Sequence, residues 1–128
     1  MSLDWTQDVL DFHEKFGAHI GERAGFPDAS TVGLRLKLVR EEYTEFMLAL
    51  MRRDLAEVAD GALDLVYVVI GTLVTLGIDP RPIWNEIQRA NMGKEGGGKR
   101  EDGKILKPPG WTPPDVAGIL KSQGWSGE

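Results

Sequence analysis

Glu41-Glu42-Tyr43-Thr44-Glu45, followed after a break by Glu57-Val58-Ala59-Asp60-Gly61-Ala62-Leu63-Asp64-Leu65-Val66-Tyr67-Val68-Val69-Ile70, decides the fold of this chain. Both stretches have helical periodicity. Around the first, Leu36, Val39, Tyr43, Phe46 and Leu50 recur at steps of three and four and make an apolar face. Leu38, Glu42, Glu45 and Ala49 line the adjoining face. Between the two stretches, Asp54-Leu55-Ala56-Glu57 has the form of a capping box, which starts a new helix. That helix is predicted to run to about Leu76 and to end at Gly77. Its second half is apolar almost all round, which predicts either the most buried helix of the fold or a subunit interface.

The rest of the chain supplies shorter helices. Trp5, Val9, Phe12 and Phe16 form one stripe and predict a helix over residues 4–20. Residues 21–31, with Gly25, Pro27 and Asp28, read as a loop, and Ser30 or Thr31 is the expected cap of the helix that runs on to about Arg53. Asp79, followed by Pro80 and Pro82, opens a fourth helix through roughly Asn91. After Met92 the chain turns rich in Gly, Pro and Lys; Asp102-Gly103 is expected to turn a small hairpin, and Thr112-Pro113-Pro114-Asp115 to open a last short helix. The expected fold is all-α: one domain over residues 1–128, with a helical core in 1–92 and a tail in 93–128. Four to five helices form a bundle that is completed by oligomerisation.

Composition narrows the chemistry. The 128 residues contain no cysteine, which removes thiolate metal sites, disulfides and cysteine nucleophiles, and only two histidines, which makes a His-rich zinc site a poor fit. A net charge of −5 argues against nucleic acid as a partner. The N-terminus lacks the basic and apolar regions of a signal peptide. The apolar run after Asp64 is interrupted by Thr72, Thr75 and Gly77 and reads as too short for a membrane span. A cytoplasmic protein without membrane contact is expected.

The carboxylates carry the functional signal. Residues three apart on a helix differ by roughly 60° around its axis, so Glu42 and Glu45 reach one site. Asp60 and Asp64, with Glu57 one turn earlier, do the same from the next helix. Asp64, between Leu63 and Leu65, is expected to be partly desolvated, and a buried charge needs a cation, strong donors or a proton. Oxygen ligands without Cys or His suit Mg²⁺, or Mn²⁺, and such an ion suits phosphoryl or nucleotidyl transfer. Plainer readings stand beside this one. Glu41 is equally half of a surface pair with Lys37 or Arg40, and Glu57 is equally the partner of Asp54 in the capping box.

The order Glu-Glu-x-x-Glu, then Glu-x-x-Asp-x-x-x-Asp-Leu-Val-Tyr-Val, resembles the all-α nucleoside triphosphate pyrophosphohydrolases, the MazG-like proteins. Ala90-Asn91-Met92-Gly93-Lys94, Asp102-Gly103-Lys104 and Lys107-Pro108 are similar to the tail of a branch with deoxyuridine triphosphatase-like members, and Phe12-His13-Glu14-Lys15-Phe16-Gly17 is similar to its opening. The resemblance covers nearly the whole chain. It implies Mg²⁺-dependent cleavage between the α and β phosphates, giving a monophosphate and pyrophosphate in a house-cleaning role. dUTP is then the leading substrate and phosphoribosyl-ATP the alternative. It also implies a homodimer or a dimer of dimers.

Carried over by motif, Glu42, Glu45 and Asp64 are metal ligands, and Glu41 holds the attacking water or a supporting position, with Glu42 beside it in the catalytic pair. Many members have Glu where this chain has Gly61, so Asp60 or Glu57 is left to fill that role. That departure also keeps open a non-catalytic, nucleotide-sensing oligomer. Asn91, Lys94, Lys104, Lys107 and His13 are the nucleotide-binding candidates. Against them stand a helix C-cap for Asn91 and Lys94, solvating charge for Lys104 and Lys107, and a structural role for His13. Trp111, among prolines, is expected to anchor the tail.

Overall fold

Residues 3–128 are described by a computed structural model, and among them are five α-helices and no strand. They are α1 (Trp5–Phe16), α2 (Ala29–Arg52), α3 (Leu55–Thr75), α4 (Pro80–Met92) and α5 (Val116–Ser122). Every helix opens on an aspartate whose carboxylate accepts a first-turn N–H: Asp4 from Gln7, Asp28 from Thr31, Asp54 from Glu57, Asp79 from Arg81 and Asp115 from Gly118. The cap of α2 is therefore Asp28 rather than Ser30 or Thr31, and the helix starts earlier than predicted. Ser30 supports that cap by donating its hydroxyl to Asp28 (3.3 Å). α1 stops at Phe16, short of the predicted end, because Gly17 takes the left-handed conformation (φ 71°) and the Ala18 N–H returns to the His13 carbonyl (3.0 Å).

α2 and α3 are joined by Arg53 and Asp54 alone and run antiparallel. Phe46 faces Gly61, and Arg35, eleven residues earlier on α2, faces Thr72, eleven residues later on α3. The backbones are closest at Gly61, where a Cβ would lie 3.2 Å from Phe46 Cα. α1 packs on α3, with Phe12 edge-on to Tyr67 (5.7 Å between ring centres). α4 packs with α5, and the Gln123 amide closes a two-bond clasp on the Asp79 backbone, each bond 2.9 Å. An Asp4–Arg81 ion pair (3.1 Å) ties the start of α1 to the start of α4. In the tail, Lys99 and Ile105 form an isolated antiparallel bridge around a turn at Gly103.

The core is thin. Val9 is the largest side chain enclosed completely. On α3 only Gly61, Gly71, Val74 and Thr75 are buried, while Leu63 is 57% exposed and Val69 41%. α3 nevertheless has more buried residues than any other helix, as expected, although α1 and α2 together cover only part of its circumference. The whole of α3, 21 residues, is long and apolar enough to cross a bilayer by length and composition alone. A core helix of a globular protein meets the same criterion.

Candidate active site

The Phe46–Gly61 crossing sets where the acids fall. Glu45 precedes Phe46 by one residue and Glu42 by one turn, while Asp64 lies three residues beyond Gly61. In an antiparallel pair these positions share one side of the crossing. Glu42 feels all of them. Its own desolvation, then Glu45, Asp64 and Glu41 in that order, hold its carboxyl above the ordinary glutamate range, and a side-chain hydrogen bond with Glu45 acts the same way. Its Oε2 is buried without a partner.

Glu42, not Asp64, is thus the desolvated acid. Asp64 is exposed, because its neighbours Leu63 and Leu65 leave the helix at about 100° to either side and do not cover it. Glu42 sits on the contact face of α2, between Val39 and Phe46. Glu57 and Asp60 are both exposed, and neither is among the carboxylates that act on Glu42. The Glu57 N–H is engaged by the Asp54 cap (3.2 Å). Gly61 has a packing reason: a Cβ at this position would stand 3.2 Å from Phe46 Cα, so a side chain there requires the helix pair to part by a few tenths of an ångström.

Glu42 also tests the fit to a cation. A desolvated carboxylate with an orphaned oxygen and three negative neighbours is short of positive charge, and none of the four ion pairs among the described residues reaches it. Among the described residues no three acidic or imidazole groups close to ligating geometry, so the acids are gathered without being clenched. An all-oxygen set of this kind fits a hard divalent ion.

The other candidates separate. His13 is buried at 3% exposure, with Nδ1 3.1 Å from the His19 carbonyl oxygen, and its burial pushes its pKa down. Beside it lies Arg35, which the sequence reading missed. This buried guanidinium donates to Thr72 Oγ1 (3.1 Å) and to the Val68 carbonyl (2.8 Å). Gly71 makes room for both, since a Cβ there would stand 2.6 Å from Arg35 Nη2 and 3.0 Å from His13 Nε2. The signal for Arg35 was its place on the helix face of Val39, Glu42 and Phe46, where a cation needs acceptors. At the end of α4, Asn91 is exposed and its carbonyl accepts the Lys94 N–H (3.2 Å). Lys94 and Lys107 each lie over the Trp111 ring, whereas Lys104 stays at the exposed turn, its N–H on Asp102 (3.2 Å). Trp111 does anchor the tail: its indole N–H donates to the Ala90 carbonyl (2.6 Å).

The sequence model of one family, phosphoribosyl-ATP pyrophosphohydrolase, matches residues 9–91, a span that takes in most of α1, all of α2 and α3 and nearly all of α4. The chain belongs to that family. It lies within the MazG-like superfamily, so the resemblance read from the carboxylate motifs holds at that level. The activity is a hydrolase activity on an acid anhydride, that of a nucleotide pyrophosphohydrolase. A comparison with curated proteins finds no match.

Proposed function

We propose that this chain hydrolyses the α–β phosphoanhydride of a nucleotide with Mg²⁺ held by Glu42, Glu45 and Asp64. Mn²⁺ is the next candidate, and Asp60, one helical turn from Asp64, is a better supplement than Glu57, which lies two turns away. The observation that carries this reading is the unpartnered Oε2 of Glu42 amid three carboxylates, inside the span that matches the family. Bound there, the ion would neutralise polyphosphate charge and acidify water. Glu41, exposed beside Glu42, takes the proton from the water that adds to the α phosphorus. The bond from that phosphorus to the bridging oxygen breaks, and pyrophosphate leaves with the electron pair. Lys94, Lys107 and, from the turn, Lys104 balance its charge, with Asn91 at the end of α4 beside them.

Two substrates lead. The family match supports phosphoribosyl-ATP, which now stands at least level with dUTP. The dUTP reading rests chiefly on the tail signature, most of which lies beyond residue 91, outside the matched span. We also propose a homodimer or dimer of dimers, supported by the apolar side chains that α3 leaves outward.

Pyrophosphate release from phosphoribosyl-ATP, dUTP and the common nucleotides, with Mg²⁺ and with EDTA, is the test. Metal-dependent release with one substrate well ahead is expected, and it is abolished in folded Asp64→Asn and Glu45→Gln. Full activity in either variant removes that residue from the ligand set.

A further inference from the structure

We infer that Trp111 is a positioning residue: it gathers Lys94 and Lys107 into one cationic unit that receives the pyrophosphate portion of the substrate. The inference takes its ligand from the pyrophosphohydrolase reading, and its geometry from the tail alone.

Lys94 lies just past α4, and Lys107 follows the turn at Gly103, thirteen residues later. Their ammonium groups nevertheless converge on one side chain, at 5.8 Å and 4.7 Å from the Trp111 ring centre. Both distances are within the range in which an aromatic face attracts a cation. The ring is fixed in turn, because its N–H is bound to the carbonyl of Ala90, which is itself 1% exposed. Trp111 therefore links the buried end of α4 to both lysines.

The nature of that link decides what the lysines can do. Two ammonium groups repel one another, and in an acidic protein each has carboxylates to seek. The four ion pairs among the described residues include neither. A ring face attracts an ammonium without accepting one of its three N–H donors in a conventional hydrogen bond. Both lysines are thus tied to one ring with their donors free for an incoming anion. A group with two linked phosphates answers two neighbouring cations better than a single phosphate does, and it relieves their repulsion.

The test uses full-length protein and inorganic pyrophosphate in EDTA, so that divalent ions take no part, followed by calorimetry. Trp111→Leu removes the ring face, and Trp111→Phe keeps a face while losing the N–H donor. We expect Trp111→Leu to weaken pyrophosphate binding about tenfold, as two exposed cation–ring contacts imply. Trp111→Phe recovers most of the loss. In turnover, KM rises while kcat changes far less. With Lys94→Gln and Lys107→Gln already in place, Trp111→Leu adds nothing further, which separates positioning from general loosening of the tail.

Unchanged binding in Trp111→Leu overturns the inference. So does an equal further loss in the background lacking both lysines, or a wild type that does not bind pyrophosphate in EDTA. None of these touches the hydrolase reading, which stands or falls on pyrophosphate release by the wild type.

Discussion

Replacing Glu42 by Gln tests whether the acidic cluster is built for a cation, because loss of activity and gain of stability are then expected together. Without an ion, Glu42 is desolvated, carries an oxygen with no partner and faces Glu45, Asp64 and Glu41. Glutamine keeps the shape, removes the charge and offers an N–H to Glu45. Relieving one unsatisfied buried acceptor amounts to about 1–2 kcal/mol. In a domain of this size that raises Tm by about 4–8 °C. The gain depends on pH with a definite sign. Glu42 is held above its ordinary value in the fold, so the folded protein takes up this proton at higher pH than the unfolded chain. The wild type gains stability as pH falls through that raised value, and the advantage of glutamine shrinks over the same interval. Thermal unfolding in EDTA at neutral and acidic pH, repeated with Mg²⁺, reads all of this. Mg²⁺ is expected to stabilise the wild type and to leave the variant unmoved. A Glu42→Gln protein that melts lower than wild type in EDTA at neutral pH would show that Glu42 has a partner it needs and that the cluster is not short of a cation.

Three further outcomes follow from named contacts. Burial holds the His13 pKa below its usual 6.5, so its contribution is complete above that value and is lost as pH falls below it; Tm measured downwards from pH 7.5 is expected to drop more steeply in wild type than in His13→Gln. Gly71→Ala drives a methyl into Arg35 and His13, and denaturant unfolding is expected to show a loss of about 1–3 kcal/mol, with a fully stable variant contradicting the packing described. On α3, Asp60→Asn is expected to lower kcat/KM about tenfold or more while Glu57→Gln stays near wild type, and the reverse order would move the second α3 ligand to Glu57.

Much of the fold was legible because its punctuation is local. Asp54 and Asp79, each followed by an apolar pattern, predicted the starts of α3 and α4, and those starts stand. Asp28 was misplaced into a loop because Ser30 and Thr31 are capping residues too, and only the bond to the Thr31 N–H separates the candidates. The acids of the candidate site were found by spacing, but which of them is desolvated was not. Spacing gives angles around one helix, whereas burial depends on where the second helix presses, and Gly61 against Phe46 decides that. Gly61 looked like a lost ligand in the sequence and is a point of backbone contact in the structure. Arg35 and Gly71 were overlooked for a related reason: each is ordinary alone, and they matter as a pair brought together from positions far apart in the chain.

The turn between α2 and α3 bears on how the chain folds as well as on what it becomes. Arg53 takes a left-handed conformation (φ 56°) and Asp54 caps the next helix, so the chain reverses in two residues. Contacts so close in sequence form early, since little chain entropy must be lost to make them. Closing that hairpin brings Glu42 and Glu45 into the field of Asp64 when little apolar surface has yet been buried to offset it. The repulsion that a divalent ion would relieve in the finished protein is therefore expected to slow the closing of this hairpin, and refolding rates measured with and without Mg²⁺, at neutral and acidic pH, would show whether it does.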